Sequence, residues 1–211
     1  FTSNNLFRNY QTNIFEKINI NDLIFNSNPK VSKLGLYNNY DFIIKNLNSD
    51  SSNSENYKED QNHYLSGTLQ FNSSLPLKKE TSNYQKILKP KLSLKISLND
   101  TKKINDNDNR IDVNNIYSLN RLSVNDTLEG GSSLAFGSEY SILDKYQAKE
   151  IFGLKIANNV RFDENRDLPT NSQIGEKTSN FFGEILYSPN DYLTTKYNTS
   201  AKNNLTQTSY E

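Results

Sequence analysis

Apolar and polar residues alternate with a period of two along several stretches of the chain. From Leu88 to Leu98, leucine and isoleucine occupy one face of a predicted strand, while lysine and serine occupy the other. Alternation over about ten residues has the length of one membrane-crossing strand. Weaker alternation recurs in Leu6–Ile14, Leu34–Ile44, Leu65–Leu75, Leu134–Ile142, Phe152–Ile156, Phe181–Tyr187, Leu193–Ala201 and Leu205–Tyr210. The pattern predicts about nine strands and no sustained helix.

The connections between these strands alternate between long and short. Long connections are predicted near Asn48–Asn62, Asn99–Glu129 and Arg161–Ser179, and short ones near Lys78–Gln85, Asp144–Gln147 and Ser188–Asp191. Outer-membrane barrels have short periplasmic turns and long extracellular loops. The short connections are flanked by Tyr84, Tyr146, Tyr187 and Tyr192. An aromatic girdle would place them there, but tyrosine is also simply a common strand residue.

Amphipathic strands fit both a soluble β-sandwich and a membrane barrel, and periodicity alone does not separate the two. The strand length and the alternation of loop lengths favour the barrel. We therefore predict an all-β fold for residues 1–211, an antiparallel meander sheet that is part of a large transmembrane β-barrel. Its sheet should be open, with two unpaired edges.

Composition supports this interpretation. Only 34% of the 211 residues are hydrophobic, and the mean hydropathy is −0.80. A soluble domain usually has about 45–50% apolar residues, whereas a barrel needs only its outward face to be apolar. Disorder fits less well, because aromatic residues make up 11% and the net charge is zero. The chain has no methionine and begins with Phe1, so we expect it to be an incomplete translation product.

Most other classes of function find little support. Lysine plus arginine and aspartate plus glutamate both number 24, so no electrostatic footprint for nucleic acid is present. There is no cysteine, and His63 is the sole histidine, which leaves little material for a metal site or a catalytic triad. The acidic stretch Asn107–Asp112 lacks the glycine and terminal glutamate of a calcium loop. We expect no enzymatic activity, no metal and no cofactor.

Three segments resemble the barrel domain of the LPS-assembly protein family LptD. They are Ile87–Ser97 (ILKPKLSLKIS), Arg110–Tyr140 (RIDVNNIYSLNRLSVNDTLEGGSSLAFGSEY) and Ile185–Glu211. The middle segment is the most specific, because it follows the family string D-x-x-N-L-F-x-x-N-R-F-x-G-x-D-R-x-E-G-G. The matching positions are Asp112, Asn115, Ile116, Tyr117, Asn120, Arg121, Asp126, Glu129, Gly130 and Gly131. Gly137 matches a glycine of the following strand, whereas Asn125 and Thr127 replace a glycine and an arginine of the family string.

The resemblance implies a function in the outer membrane of a Gram-negative bacterium. It implies a translocon that assembles lipopolysaccharide at the cell surface, with residues 1–211 as central barrel wall. The implied partners are lipopolysaccharide, outer-membrane lipid, an LptE-like lipoprotein in the barrel lumen and an LptA-like periplasmic bridge protein. The bridge protein would dock on a jellyroll that we expect to lie outside this sequence. The alternatives are a porin-like barrel and a soluble β-rich surface or adhesion protein.

Two structural predictions follow for the sheet and its longest loop. Leu92, Leu94, Ile96, Leu134 and Phe136 should face lipid, and Lys91, Lys95, Ser133 and Glu139 should face the concave side. The loop at Asn99–Glu129 has an apolar cluster, including Ile116 and Tyr117, that could pack against that side. Arg121 should then pair with Asp126, Glu129 or Asp112 and help the loop to plug the lumen. The alternative is an exposed loop with solvated charges. Gly130 and Gly131 should allow a sharp turn into the next strand.

Overall fold

The fold is a single layer of β-structure in a computed structural model. The structure describes residues 1–10, 13–105, 110–202, 204 and 206–210, with the backbone alone for 207–210. Among these residues, no helix is long and apolar enough to cross a membrane. The strands are β1 (Thr2–Asn9), β2 (Phe15–Asn26), β3 (Lys30–Val31), β4 (Tyr37–Ser52), β5 (Asp60–Ser74), β6 (Leu77–Glu80), β7 (Tyr84–Ser97), β8 (Gly131–Asp144), β9 (Lys149–Arg161), β10 (Phe181–Tyr187), β11 (Thr195–Ala201) and β12 (Gln207–Tyr210).

All of the described strands belong to one antiparallel sheet with the order β1-β2-β4-β5-β7-β8-β9-β10-β11-β12. The short strands β3 and β6 pair with β4 and β7. Each main strand therefore pairs with its neighbour in sequence, as the predicted meander requires. The sheet is open, with β1 and β12 at its edges.

The meander places successive connections at opposite ends of the sheet. The two longest, residues 98–130 and 162–180, lie at one end, which we call the loop end, together with residues 53–59. Residues 27–36, 75–83, 145–148 and 188–194 connect strands at the other end, which we call the turn end. The four predicted girdle tyrosines all lie at or beside the turn end, and Tyr192 is 99% exposed. Their interfacial role remains a prediction.

The prediction of a long loop at Asn48–Asn62 is wrong. Strand β4 continues to Ser52 and β5 begins at Asp60, so only residues 53–59 connect them. The error has a physical cause, because both faces of the sheet are polar here. One face carries the buried side chains of Lys45, Ser49 and Ser51. A stretch with polar residues on both faces has no hydrophobic period.

The opposite face of this region carries a network that we call the asparagine ladder, formed by Asn5, Asn19, Asn21, Asn46, Asn48 and His63. Asn48 donates to Asn46 at 2.6 Å, and Asn19 donates to Asn5 at 2.6 Å. These asparagine side chains bridge β1, β2 and β4, and the imidazole of His63 extends the network to β5. The ladder therefore replaces apolar cross-strand pairs near the loop end.

The sequence pattern also missed three strands. In β2 the apolar residues change face, because Ile18 and Ile20 lie on one side while Leu23 and Phe25 pair with Ile44 and Phe42 on the other. Strands β3 and β6 are too short for a periodic signal, and β6 overlaps the connection predicted at Lys78–Gln85. At the C-terminal end of the chain, Leu205 of the predicted strand lies outside the described residues, whereas Gln207–Tyr210 forms β12.

The polarity of the sheet is the reverse of that in a soluble protein, because one face exposes apolar side chains and the other buries polar ones. Leu92, Ile96 and Phe136 are 38, 40 and 42% exposed, whereas Lys95 and Ser133 are only 3 and 2% exposed. The register pairs Leu92 with Phe136 and Leu94 with Leu134, which puts all the predicted lipid-facing residues on one side. Lys91, Lys95, Ser133 and Glu139 lie on the other side, where Lys91 and Glu139 form an ion pair of 2.8 Å. The predicted separation of faces is confirmed. We call the apolar side the outer face and the loop-covered side the inner face.

Candidate functional site

The longest connection, residues 98–130, folds back over the inner face, and we call it the long loop. Its residues 106–109 lie outside the described residues, as does the first part of the acidic stretch Asn107–Asp112. Ile116 is 1% exposed and packs in an apolar cluster between the loop and the sheet. The cluster consists of Ile111, Val113, Ile116, Leu122, Ala135, Ala157, Leu168, Ile174 and Phe182. The predicted apolar surface of the loop is therefore buried against the sheet.

The second long connection, residues 162–180, contributes Leu168 and Ile174 to that cluster and joins the long loop by hydrogen bonds. The amide of Ile104 donates to the carbonyl of Asp167 at 2.8 Å. Asn165 Nδ2 donates to Thr101 Oγ1 at 2.9 Å, and that oxygen also accepts from the amide of Gly130 at 2.6 Å. The two loops thus form one cover over the inner face.

Beneath this cover lies an ionic cluster made of Lys95, Arg121, Glu129 and Arg161. Arg121 binds the Glu129 carboxylate with two nitrogens, Nε to Oε2 at 2.7 Å and Nη2 to Oε1 at 2.5 Å. Arg161 Nη1 lies 2.6 Å from Oε1, and Lys95 Nζ lies 3.5 Å from Oε2. All four residues are at most 6% exposed. The long loop supplies Arg121 and Glu129, and strands β7 and β9 supply the other two cations.

Three cations share one carboxylate, so the remaining donors need other acceptors. Arg121 also donates to Asn159 Oδ1 at 2.9 Å and to Ser133 Oγ at 3.1 Å. Backbone carbonyls accept from the three cations, namely those of Ile116, Ser118, Leu119, Gly130 and Asp163. A buried ion cluster is tolerated only when its donors are satisfied in this way.

The ionisation of Glu129 is set by two opposing effects. Burial alone would raise the pKa of its carboxyl, but the charges of Arg121, Lys95 and Arg161 together outweigh burial and hold that pKa well below its usual range. Glu129 is therefore a carboxylate at neutral pH and holds the cations together. Of the three partners predicted for Arg121, the structure selects Glu129.

The other two predicted partners, Asp112 and Asp126, have different contacts. Asp112 Oδ1 accepts from the amides of Asn114 and Asn115 at 2.7 and 2.9 Å, and Asn115 Oδ1 accepts from the amide of Asp112 at 2.9 Å. This reciprocal pair shapes a tight turn before Ile116. Asn120 Nδ2 similarly donates to the carbonyl of Val124 at 3.1 Å, across a second turn.

Asp126 ties the long loop to the β4–β5 connection. It lies 2.6 Å from Lys102 Nζ and accepts a hydrogen bond from the hydroxyl of Tyr57 at 3.3 Å. Lys102 also lies over the Tyr57 ring, 4.5 Å from its centroid. Burial and the adjacent Asp126 carboxylate raise the pKa of Tyr57 to about 12. Thr127, at the position of the family arginine, is 1% exposed and accepts from the amide of Lys102 at 3.0 Å.

The glycines of the predicted motif lie where backbone or side-chain atoms of other residues approach closely. Gly131 has a φ of +79°, and a Cβ there would lie 2.8 Å from Arg161 Nη2. A Cβ on Gly130 would overlap the carbonyl oxygen of Asn99. Both glycines therefore serve the turn into β8, and the absence of a side chain at Gly131 also leaves space for the Arg161 guanidinium. On β8 itself, a Cβ on Gly137 would lie 2.5 Å from the hydroxyl of Tyr117.

Several residues that hold the long loop carry no motif signal in the sequence. Lys45, 1% exposed, donates to the carbonyl of Asn125 at 2.7 Å while pairing with Asp22 at 2.7 Å. Gln70 donates to the carbonyl of Tyr117 at 2.5 Å. The remaining anchors are Lys95, Asn159, Arg161 and Glu184, the last of which accepts from Asn114 of the loop at 3.0 Å. Their position on the inward face of a predicted strand was the available signal for Lys95 and Gln70, whereas Lys45 lies one residue beyond the strand predicted at Leu34–Ile44.

A broad exposed apolar face is unfavourable in water, whereas the polar inner face is covered by loops that satisfy its buried cations. In a bilayer the same arrangement is favourable, because neighbouring strands satisfy each other's backbone groups and the apolar outward side can meet lipid. The fold and the site therefore define an open antiparallel sheet of the kind that forms part of an outer-membrane β-barrel.

Comparison with known protein families identifies the family to which the chain belongs. The family model for LPS transport system D, LptD, matches residues 21–210. Since the match covers most of the chain, the protein belongs to the LptD family, as its motifs predicted. This family is a component of lipopolysaccharide transport and assembly at the outer membrane. A comparison with curated proteins gave no match. The family match and the exposed apolar face disfavour the porin-like and soluble alternatives.

Proposed function

We propose that residues 1–211 form central barrel wall in the outer-membrane translocon that assembles lipopolysaccharide at the cell surface, and that residues 99–129 plug its lumen. The observation that carries this proposal is the ionic cluster. Glu129 of the long loop, held by Arg121 of the same loop at 2.5 Å, pairs with Arg161 and Lys95 of the wall at 2.6 and 3.5 Å. A loop held by buried charges stays inside the barrel and closes the path for solutes.

The inner face also supplies a polar surface for the passage of sugars and phosphates. Part of it stays uncovered toward the turn end, where a cavity of about 560 Å³ is lined by Asn39, Asn72, Lys91 and Tyr117 among others. We propose this uncovered part as the place where lipopolysaccharide or an LptE-like lipoprotein contacts the wall. Family membership supports these partners and an LptA-like bridge protein of the assembled translocon.

The test removes one member of the ionic cluster. Arg121→Ala leaves the buried Glu129 carboxylate without its two-nitrogen partner, which should weaken loop anchoring by about 1–3 kcal/mol. The variant of the full protein should let a bulky antibiotic enter cells faster at normal barrel abundance. Both antibiotic uptake and the amount of folded barrel are measured.

Lys103→Ala is the matched control, because Lys103 lies in the same loop but is exposed. It removes the same charge from the loop without touching the cluster and should leave permeability unchanged. Unchanged permeability of Arg121→Ala at normal abundance would contradict the plug. A fall in barrel abundance alone would instead indicate a role of Arg121 in folding.

A further inference from the structure

Two lysines face each other directly on the outer face near the turn end. The register of β6 and β7 pairs Lys79 with Lys86, and two residues further along it pairs Leu77 with Leu88. Because Lys86 is two residues from Leu88 on β7, both lysines share the outer face with the apolar band. Like charges directly opposite each other on a sheet are destabilising.

Neighbouring lysines at this end have carboxylate partners, and these two do not. Glu80 accepts from Lys78 at 2.6 Å and from Lys145 at 3.0 Å. Among the described residues, no carboxylate lies within ion-pair distance of Lys79 or Lys86. The sheet thus keeps an uncompensated pair of positive charges while it neutralises the lysines beside them.

The pair borders a cleft that is half apolar. A cavity of about 300 Å³ is lined by Leu77, Lys78, Lys79, Lys86, Leu88 and Tyr140. Leu77 and Leu88 are 49 and 40% exposed, and Leu88 pairs with Tyr140 on the next strand. A cleft with two cations at one side and leucines at the other matches the junction of a headgroup and an acyl chain.

We propose that Lys79 and Lys86 bind the phosphate of an anionic phospholipid in the periplasmic leaflet. The proposal rests on the membrane placement of the proposed function, since short connections of outer-membrane barrels face the periplasm. Each ammonium donates to a phosphate oxygen, and the anion removes the repulsion between the two lysines. The acyl chain lies along Leu77 and Leu88, and Tyr140 stands at the level of the headgroup.

The experiment compares lipid retention by the full protein in nanodiscs, measured by native mass spectrometry. Wild-type protein should retain phosphatidylglycerol over phosphatidylcholine. The double variant Lys79→Gln/Lys86→Gln should lose that preference by about five-fold for each lysine. Lys30→Gln/Lys33→Gln is the control, because these exposed lysines lie at the same end and remove the same charge. Soluble glycerol phosphate should not compete, which separates a lipid from a free phosphate.

A second readout uses thermal stability. In phosphatidylcholine nanodiscs the double variant should melt at a higher temperature than the wild type, because the repulsion is gone. In phosphatidylglycerol nanodiscs the order should reverse. Equal retention of phosphatidylglycerol by both proteins, or an equal loss in the control variant, would overturn the lipid site alone. Failure of the wild type to enter nanodiscs would overturn the membrane placement as well.

Discussion

Gly137 gives the clearest prediction at the scale of a single residue. A Cβ at this position would overlap the carbonyl oxygen of Ile156 and lie 2.5 Å from the Tyr117 hydroxyl. Gly137→Ala should therefore push the long loop off β8 or distort the β8–β9 pairing, at a cost of about 1–3 kcal/mol. Urea unfolding of the full protein in lipid vesicles would measure the loss.

Gly67→Ala is its control, since this glycine also lies within a strand and a Cβ there would meet only the carbonyl of Ile43 at 3.7 Å. That variant should unfold close to the wild-type urea concentration. If Gly137→Ala unfolded at the same urea concentration as Gly67→Ala, the result would contradict the close contact between Tyr117 and Gly137.

Glu129 predicts how the loop responds to acid. Its folded-state pKa is lowered from 4.5, so its ionised form stabilises the folded protein. That contribution is complete above the unfolded-state pKa and is lost as the pH falls below 4.5 through the folded-state pKa. Thermal stability, followed by far-ultraviolet circular dichroism, should therefore keep the Glu129 contribution from neutral pH down to about pH 5.

Glu129→Gln isolates this contribution from other carboxyl groups. The variant should melt well below the wild type at neutral pH, because three buried cations lose their carboxylate. The gap between the two melting temperatures should then narrow as the pH falls below 4.5. A gap that narrows already between pH 7 and pH 5 would mean that the Glu129 pKa is not lowered.

At the scale of the strand, the outer face predicts where charge is tolerated. Leu92 lies midway between Leu88 and Ile96 on the outer side of β7. Leu92→Arg should cost about 2–4 kcal/mol of stability in a bilayer. Leu98→Arg introduces the same charge just beyond β7, at a residue that is 90% exposed, and should cost much less. Equilibrium unfolding from vesicles would compare the two, and equal costs would argue against lipid at the outer face.

Strand β7 shows how much of the fold the sequence could predict. Its alternation predicted the element, the orientation of Leu92 and Lys95, and the meander around it. Alternation predicts less where both faces are polar, as in Asn48–Asn62, or where the apolar residues change face, as in β2. The missing information in both cases was cross-strand pairing, because the asparagine ladder is stabilised by partners far away in sequence.

The candidate site was partly predictable for a similar reason. The motif resemblance placed Arg121 near carboxylates, and the apolar content of the loop predicted the burial of Ile116. The choice of Glu129 depended on Arg161 and Lys95, which lie on two separate strands. Nothing local in the sequence indicates that these two wall cations converge on a loop carboxylate.

At the scale of the whole molecule, the long loop is anchored to six strands in a row. Its contacts reach β4 through Lys45, β5 through Gln70, β7 through Lys95, β8 through Ser133, β9 through Asn159 and Arg161, and β10 through Glu184. At about 4.8 Å between neighbouring strands, these anchors span roughly 24 Å of wall. The loop therefore connects strands that the sheet itself joins only pairwise.

Those anchors also determine how the wall should respond to mechanical force. A plain meander peels one hairpin at a time, because each strand is held only by its neighbours. Here the long loop is bonded to all six strands, so force applied to one hairpin is shared by the others. Pulling the full protein from a membrane with a force probe should release Tyr37–Tyr187 in one rupture of about 500 Å of extended chain. In Glu129→Gln the same stretch should unfold in several smaller steps. Stepwise release in the wild type would show that the long loop does not resist the applied force.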